Sequence, residues 1–248
     1  MASAGESAGS DGHSVPAPTS TTEAQPRKAK AQETLDKLDY VVPPTATSVA
    51  TFSVVVIRAR QFDVWATEFL DAHPDGATVL HLACGLDSRA LRLNWNKSTR
   101  WIDVDLPDVA ALRRQVVPLD EIPADRPTLV IMEGLALYLD PADVESLLKR
   151  VCDRFPTGQI VLDSVGAWYK RSQSLIRDVS RTGALVKFTI DQAGEIERLH
   201  DKLKVRDQMR VWQIPSCEIL PLPVRIFFWV QSWIPGLTSF STEFRCDF

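Results

Sequence analysis

Three short segments place acids and small residues directly after apolar runs, the position at which an open α/β sheet meets its ligand. The first is His81-Leu82-Ala83-Cys84-Gly85-Leu86-Asp87-Ser88-Arg89. Ala83, Cys84 and Gly85 are small enough for backbone to approach a ligand closely, and Gly85 can take a positive φ. A plain strand-to-helix turn accounts for the same residues. The second is Trp101-Ile102-Asp103-Val104-Asp105-Leu106-Pro107, where Asp103 and Asp105 cluster at the end of an apolar strand. A carboxylate there can accept both hydroxyl hydrogens of a ribose; Asp105 serves equally well as the cap of a helix opening at Pro107. The third is Met132-Glu133-Gly134-Leu135-Ala136-Leu137-Tyr138-Leu139. A carboxylate buried at a strand end is costly without a partner, so Glu133 requires either a ligand or Arg58 or Arg60 from an upstream helix.

The elements that must position these residues follow from apolar spacing. From Thr51 to Leu70, Phe52, Val55, Val56, Phe62, Trp65, Phe69 and Leu70 recur at three- and four-residue steps, which predicts an amphipathic helix ending before His73-Pro74-Asp75-Gly76. Ala77–Leu82 reads as a buried strand, and Leu86–Arg89 offers a cap for a helix to about Leu93. Thr99–Val104 is a second strand, with Pro107 opening a helix through Arg114. Thr128–Met132 is another strand, Pro141–Phe155 a helix with Val144, Leu147, Leu148 and Val151 on its apolar face, and Gln159–Leu162 a further strand. Such alternation predicts a parallel sheet with helices on both faces. Beyond Tyr169 the pattern gives a helix over 171–180, strands near 186–190 and 208–214, an apolar helix over 224–234 and a terminal strand from Ser239 to Asp247.

Composition narrows the function classes. The 248 residues are 45% apolar and 24% charged, which suits one substantial core. Residues 1–30 are rich in Ser, Ala, Gly, Thr and Pro and are expected to be a disordered tail ahead of a domain over 31–248. No Arg precedes Arg27, and Glu6, Asp11 and Glu23 argue against a mitochondrial presequence. The net charge of -4 disfavours nucleic acid and anionic membranes as partners. Cys84, Cys152, Cys217 and Cys246 are scattered, so a reduced, cytoplasmic chain without a structural metal is expected. The apolar stretch Ile219–Leu237 contains Pro221, Pro223, Arg225 and Pro235 and cannot be an unbroken membrane span. It reads as a buried helix; an interfacial membrane helix around Phe227, Phe228, Trp229 and Trp233 lacks the flanking basic cluster. A nicotinamide dehydrogenase would need a full Gly-x-Gly-x-x-Gly turn and an α/β-hydrolase a Gly-x-Ser-x-Gly elbow, and neither follows an apolar strand here. Cys84 lacks a placed histidine and reads as a packing residue rather than a nucleophile.

Taken together, the chain resembles the leucine carboxyl methyltransferase family, in its polyketide O-methyltransferase branch. The resemblance is carried by Ile57-Arg58-Ala59-Arg60-Gln61-Phe62-Asp63, Ala83–Arg89, Asp103–Val109 with Leu112-Arg113-Arg114, and Glu133-Gly134-Leu135 with Tyr138-Leu139. Asp153-Arg154-Phe155-Pro156 and Asp163-Ser164-Val165-Gly166 also match, so the resemblance runs from about residue 50 to 248. It implies a Rossmann-like, class I S-adenosylmethionine-dependent methyltransferase sheet acting on a small carboxylic acid or phenolic acceptor. By the same resemblance Arg58, with Arg60 as the alternative, meets the donor's carboxylate. Ala83 and Gly85 line its methionine portion, Asp105 at the Asp103–Asp105 strand end binds the ribose, and Glu133 holds the ammonium. Tyr138 and Asp163 are candidates for orienting the acceptor. Of the histidines, His13, His73, His81 and His200, none falls at a position that suggests a base.

The chain departs from the family in three places. Between Arg114 and the strand at Thr128, roughly twenty residues fewer are present than the family has, enough to remove one strand and its crossover on the adenine side. The N-terminal helical cover is shortened after Gln32-Glu33-Thr34-Leu35, and Ala83 stands where the family's first turn glycine belongs. A chain lacking methyl transfer, with a repurposed pocket or a binding role, is the competing expectation. Aromatic residues of the C-terminal part, Trp168, Trp212, Phe227, Phe228, Trp229 and Trp233, are expected to be mostly core, with some lining an acceptor pocket.

Overall fold

The computed structural model describes residues 46–85, 87–105, 122–173, 185–234 and 237–248, with side chains from residue 53 onward. A long helix α1 (Ala46–Ala72) precedes strand β1 (Thr78–Leu82), a single helical turn α2 (Arg89–Arg92) and β2 (Arg100–Val104). Then come β3 (Thr128–Met132), α3 (Pro141–Arg154), β4 (Gly158–Ser164) and α4 (Ala167–Ser172). The C-terminal part holds α5 (Ala193–Glu197), β5 (Lys204–Arg210), two 3-10 turns at Val211–Gln213 and Pro215–Ile219, α6 (Leu222–Ser232) and β6 (Thr242–Asp247).

The six described strands form one sheet in the order β2-β1-β3-β4-β6-β5. β1 to β4 are mutually parallel, as the alternation of apolar strands and helices predicted. β6 runs antiparallel between β4 and β5, so the sheet is mixed rather than wholly parallel. The helix expected over Pro107–Arg114, and the shortened connection that follows it, lie outside the described residues. So do the N-terminal tail and cover.

Strand alternation sorts the core into two layers. Leu80, Leu82, Val130, Met132, Ile160 and Leu162 face α3, which buries Val144, Leu148 and Val151 at four- and three-residue steps. Leu147 is only partly buried. Pro141 opens that helix at a position whose amide has no intrahelical acceptor, and Pro156 follows its end. On the other face Val79, Leu129, Ile131 and Val161 pack against Phe62, Trp65, Ala66, Phe69 and Leu70 of α1.

Three expectations are corrected. On α1, Val55 and Val56 are exposed, and Val54 and Ile57 are buried instead. The bulky Phe62, Trp65 and Phe69 set the helix phase, and a stripe running back from them at three- and four-residue steps passes through 58, 57 and 54. Residues 186–190 form no strand: Lys187 and Phe188 donate their amides to Leu137 O and Ile190 donates to Ser164 Oγ, which laces this segment to the loops after β3 and β4. The strand expected at 208–214 is Lys204–Arg210, ending in a 3-10 turn. Its alternation is polar because it is the edge strand, which hides it from a hydrophobic count.

Candidate functional site

The same alternation that builds the core delivers the chemistry. The columns that begin with Val79, Trp101, Ile131 and Val161 on the α1 face end in His81, Asp103, Glu133 and Asp163. Polar residues therefore emerge at the carboxyl ends of β1 to β4, all on the side that α1 covers. Arg58 belongs to the buried stripe of that helix and projects among them. Its Nε donates to Glu133 Oε1 at 3.1 Å and its Nη1 to Asp163 Oδ2 at 2.7 Å. Arg60 lies off the stripe and is exposed, so of the two arginines proposed for one role only Arg58 reaches the strand ends. Helix phase, available once Phe62 and Trp65 are recognised as core, was the signal that separates them.

Arg58, Glu133 and Asp163 form a cluster in which charge is retained by pairing. Burial works against the Arg58 guanidinium, but Asp163 and Glu133 outweigh it and hold the group firmly protonated. Burial lifts the Asp163 carboxyl above the usual range, opposed by Arg58 and by the amide of Gly134, which donates to Asp163 Oδ1 at 2.5 Å. Gly134 can offer that amide because it takes φ 65°, a left-handed turn directly after β3.

Behind the cluster is a second cation that the sequence reading assigned only to a helix cap. Arg89 is fully buried, donating from Nε to Asp63 Oδ1 at 2.7 Å and from Nη2 to Glu133 Oε2 at 2.8 Å, with Nη1 2.9 Å from Asp87 Oδ2. Arg92 joins Asp63 and Asp87 from the rim. Burial would raise the Asp87 carboxyl, but Arg89 and Arg92 hold it below its ordinary value. Glu133 is thus gripped by one arginine on each oxygen. Three acids in matching segments around one recognised arginine signalled that another cation must be buried with them.

The turn after β1 is left-handed at two positions: Ala83 takes φ 50° and Gly85 φ 53°, and a Cβ built on Gly85 would meet no atom of the described residues within 4 Å. The Gly85 amide donates to Asp105 Oδ2 at 2.5 Å, which ties the ends of β1 and β2 together. The cap that Asp105 might give a helix at Pro107 lies outside the described residues. Asp103 is turned elsewhere: its Oδ1 accepts from Trp101 Nε1 at 3.0 Å and stands 3.5 Å from His81 Nδ1. Tyr138 is half-exposed on the turn Ala136–Tyr138, its phenol raised by burial and by the charge of Asp163. The Tyr138 phenol therefore stays protonated at neutral pH and can donate a hydrogen bond there but not accept a proton.

The remaining aromatic residues depart from expectation. Phe228 is buried, whereas Trp168, Phe227, Trp229 and Trp233 are exposed, and α6 is a mostly exposed helix rather than a buried one. A groove of about 440 Å³ beside it is lined by Trp212, Pro215, Leu222, Arg225, Ile226 and Trp229. No helix among the described residues is long and apolar enough to cross a membrane.

This arrangement matches proteins already known. A profile described as leucine carboxyl methyltransferase matches residues 18–124. The chain is 38% identical over 204 residues to the tetracenomycin polyketide synthesis O-methyltransferase TcmP of Streptomyces glaucescens, covering 75% of each chain. It is 35% identical over 189 residues to the S-adenosyl-L-methionine-dependent methyltransferase dpfgK of Gibberella zeae, covering 64% of this chain and 63% of that one. Among solved structures, a Thermobifida fusca protein described as a candidate methyltransferase superposes with a TM-score of 0.55 at 14% identity, over 80% of this chain and 81% of that one. The fold is thus the Rossmann-like methyltransferase sheet, and the chain belongs to the leucine carboxyl methyltransferase family.

Proposed function

We propose that this protein is an S-adenosylmethionine-dependent O-methyltransferase of secondary metabolism acting on a small, polyketide-like acid or phenol. The observation that carries the reading is Arg58 held between Glu133 and Asp163 at the strand ends, next to a positive-φ turn with no described atom within 4 Å of where a Gly85 Cβ would sit. A guanidinium and a carboxylate side by side suit the carboxylate and ammonium of an amino-acid moiety. In this reading Arg58 takes the donor's carboxylate and Glu133 its ammonium. Ala83 and Gly85 leave room for the chain between, and Asp105 receives the ribose hydroxyls. Arg89 holds Glu133 in place, and Asp103 supports β1 and β2 through His81 and Trp101.

When bound, the donor would supply a methyl group that the acceptor oxygen attacks in line as the methyl–sulfur bond breaks and S-adenosylhomocysteine leaves. What remains for the protein is to align the two and exclude water. Tyr138 and Asp163 orient the acceptor in this scheme rather than deprotonate it, which suits an acceptor already ionised at neutral pH, such as a carboxylate. The four cysteines are free and buried, a state consistent with a cytoplasmic setting. The similarity to two proteins named as methyltransferases supports methyl transfer over a repurposed pocket.

Calorimetric titration of the full chain with S-adenosylmethionine and S-adenosylhomocysteine tests the proposal. Micromolar binding is expected, with Arg58→Ala and Glu133→Gln each weakening it more than about tenfold, or ~1.4 kcal/mol. Unchanged affinity in both variants overturns the residue roles, and absence of binding by a folded chain overturns the function.

A further inference from the structure

One buried acid of the α1 face is used by nothing described so far. Glu243 lies on β6 directly opposite Asp163 in the antiparallel pair, so their side chains are neighbours on the same face of the sheet. It is fully buried. Ser241 Oγ donates to its Oε1 at 2.9 Å, and its Oε2 has no hydrogen-bond partner among the described residues. The groups around it can be named element by element. From β4 comes Asp163, and from α1 comes Arg58, whose charge is already divided between Asp163 and Glu133. Met209 of β5 pairs with it on the far side. Arg245, next on the same face of β6, is drawn away by Asp207 and Glu68.

An ionised carboxylate in that position would be a third acid upon one guanidinium, buried and with an unsatisfied oxygen, which is unfavourable. We infer that Glu243 is a positioning residue for the methyl donor: it stays a neutral acid behind Arg58 and so leaves the guanidinium free to bind the donor's carboxylate. Burial and the adjacent Asp163 push its carboxyl up to about 8, against the hydrogen bond from Ser241 and the attraction of Arg58. Neutral at physiological pH, Glu243 adds no charge to the cluster. Once ionised, it competes for Arg58 and repels the incoming carboxylate, and donor binding weakens. The inference rests on the proposed donor site and adds a pH-dependent element that no residue of that site supplies.

Two measurements on the full chain test it. Infrared difference spectra between wild type and Glu243→Gln should show the carbonyl stretch of a neutral carboxylic acid in the wild type at neutral pH, vanishing near pH 8. Absence of that band overturns the inference without reference to any ligand. Calorimetric affinities for S-adenosylhomocysteine are then compared from neutral pH to about pH 9. The donor's own ammonium titrates identically against both proteins, so the ratio of wild-type to Glu243→Gln dissociation constants isolates Glu243. That ratio should rise by at least about fivefold with pH as the acid ionises. A constant ratio overturns the inference while leaving the donor site standing. Failure of the wild type to bind at neutral pH removes the donor site and the inference with it.

Discussion

The strand-end cluster and the α6 surface are opposites. In the first, charged groups are withdrawn from water and each is met by an opposite charge: Arg89 is fully buried yet touches Asp63, Asp87 and Glu133. In the second, apolar groups stand in water, with Trp233 71% exposed and Trp229 60% exposed on one short helix. Stability is expected to reside in the buried pairs of the first region and in the few inward residues of the second. The exposed aromatic surface contributes little to folding and is available for contacts.

The largest effect that can test this contrast is removal of the buried cation. Arg89→Ala leaves Asp63 and Asp87 to Arg92 at the rim and Glu133 to Arg58, with no cation between them, and should cost about 3–5 kcal/mol in urea unfolding. A loss below about 1 kcal/mol would mean that the cluster is hydrated and not held by its pairs. On the α6 side, Phe228 packs with Val54, Ile57, Val211 and Ile214. Phe228→Ala should cost about 3–5 kcal/mol, whereas Trp233→Ala should stay within about 0.5 kcal/mol. Equal losses at the two positions would erase the distinction between the inner and outer faces of the helix. The smallest change expected is a gain. Ala83 holds a left-handed conformation that costs a non-glycine residue about 1–2 kcal/mol, partly offset by the greater freedom of glycine when unfolded. Ala83→Gly is therefore expected to raise stability by about 0.5–1 kcal/mol, and loss of stability would show that the methyl group makes a contact that compensates for the strain.

Much of the fold was legible because buried parallel strands advertise themselves. Thr128–Met132 and Thr78–Leu82 are continuous apolar runs, and each was read within a residue of its observed limits. The edge strand Lys204–Arg210 alternates among polar residues and was misplaced for that reason. In the site, Glu133 is legible as needing a partner, a ligand or an arginine of α1, because it follows such a run directly. Arg89 was not, since within its own segment it looks like an ordinary first-turn arginine and its partners lie 26 and 44 positions away. Glu243 was invisible for a stronger reason. Nothing in Ser241-Thr242-Glu243 suggests burial until β6 is inserted between β4 and β5.

The sequence by itself determined the local apolar periods, and with them the buried parallel strands, the helical course of α1 and the small-residue turn at Ala83–Gly85. These depend on neighbours a few positions apart, whose preferences the chain carries everywhere. The tertiary structure decided which charges meet. Helix phase chose Arg58 over Arg60, strand order set Glu243 against Asp163, and the closure of α1 over the sheet buried Arg89 among three acids. Electrostatic partnership is a property of distance in space, and for residues separated by dozens of positions only the folded chain sets that distance.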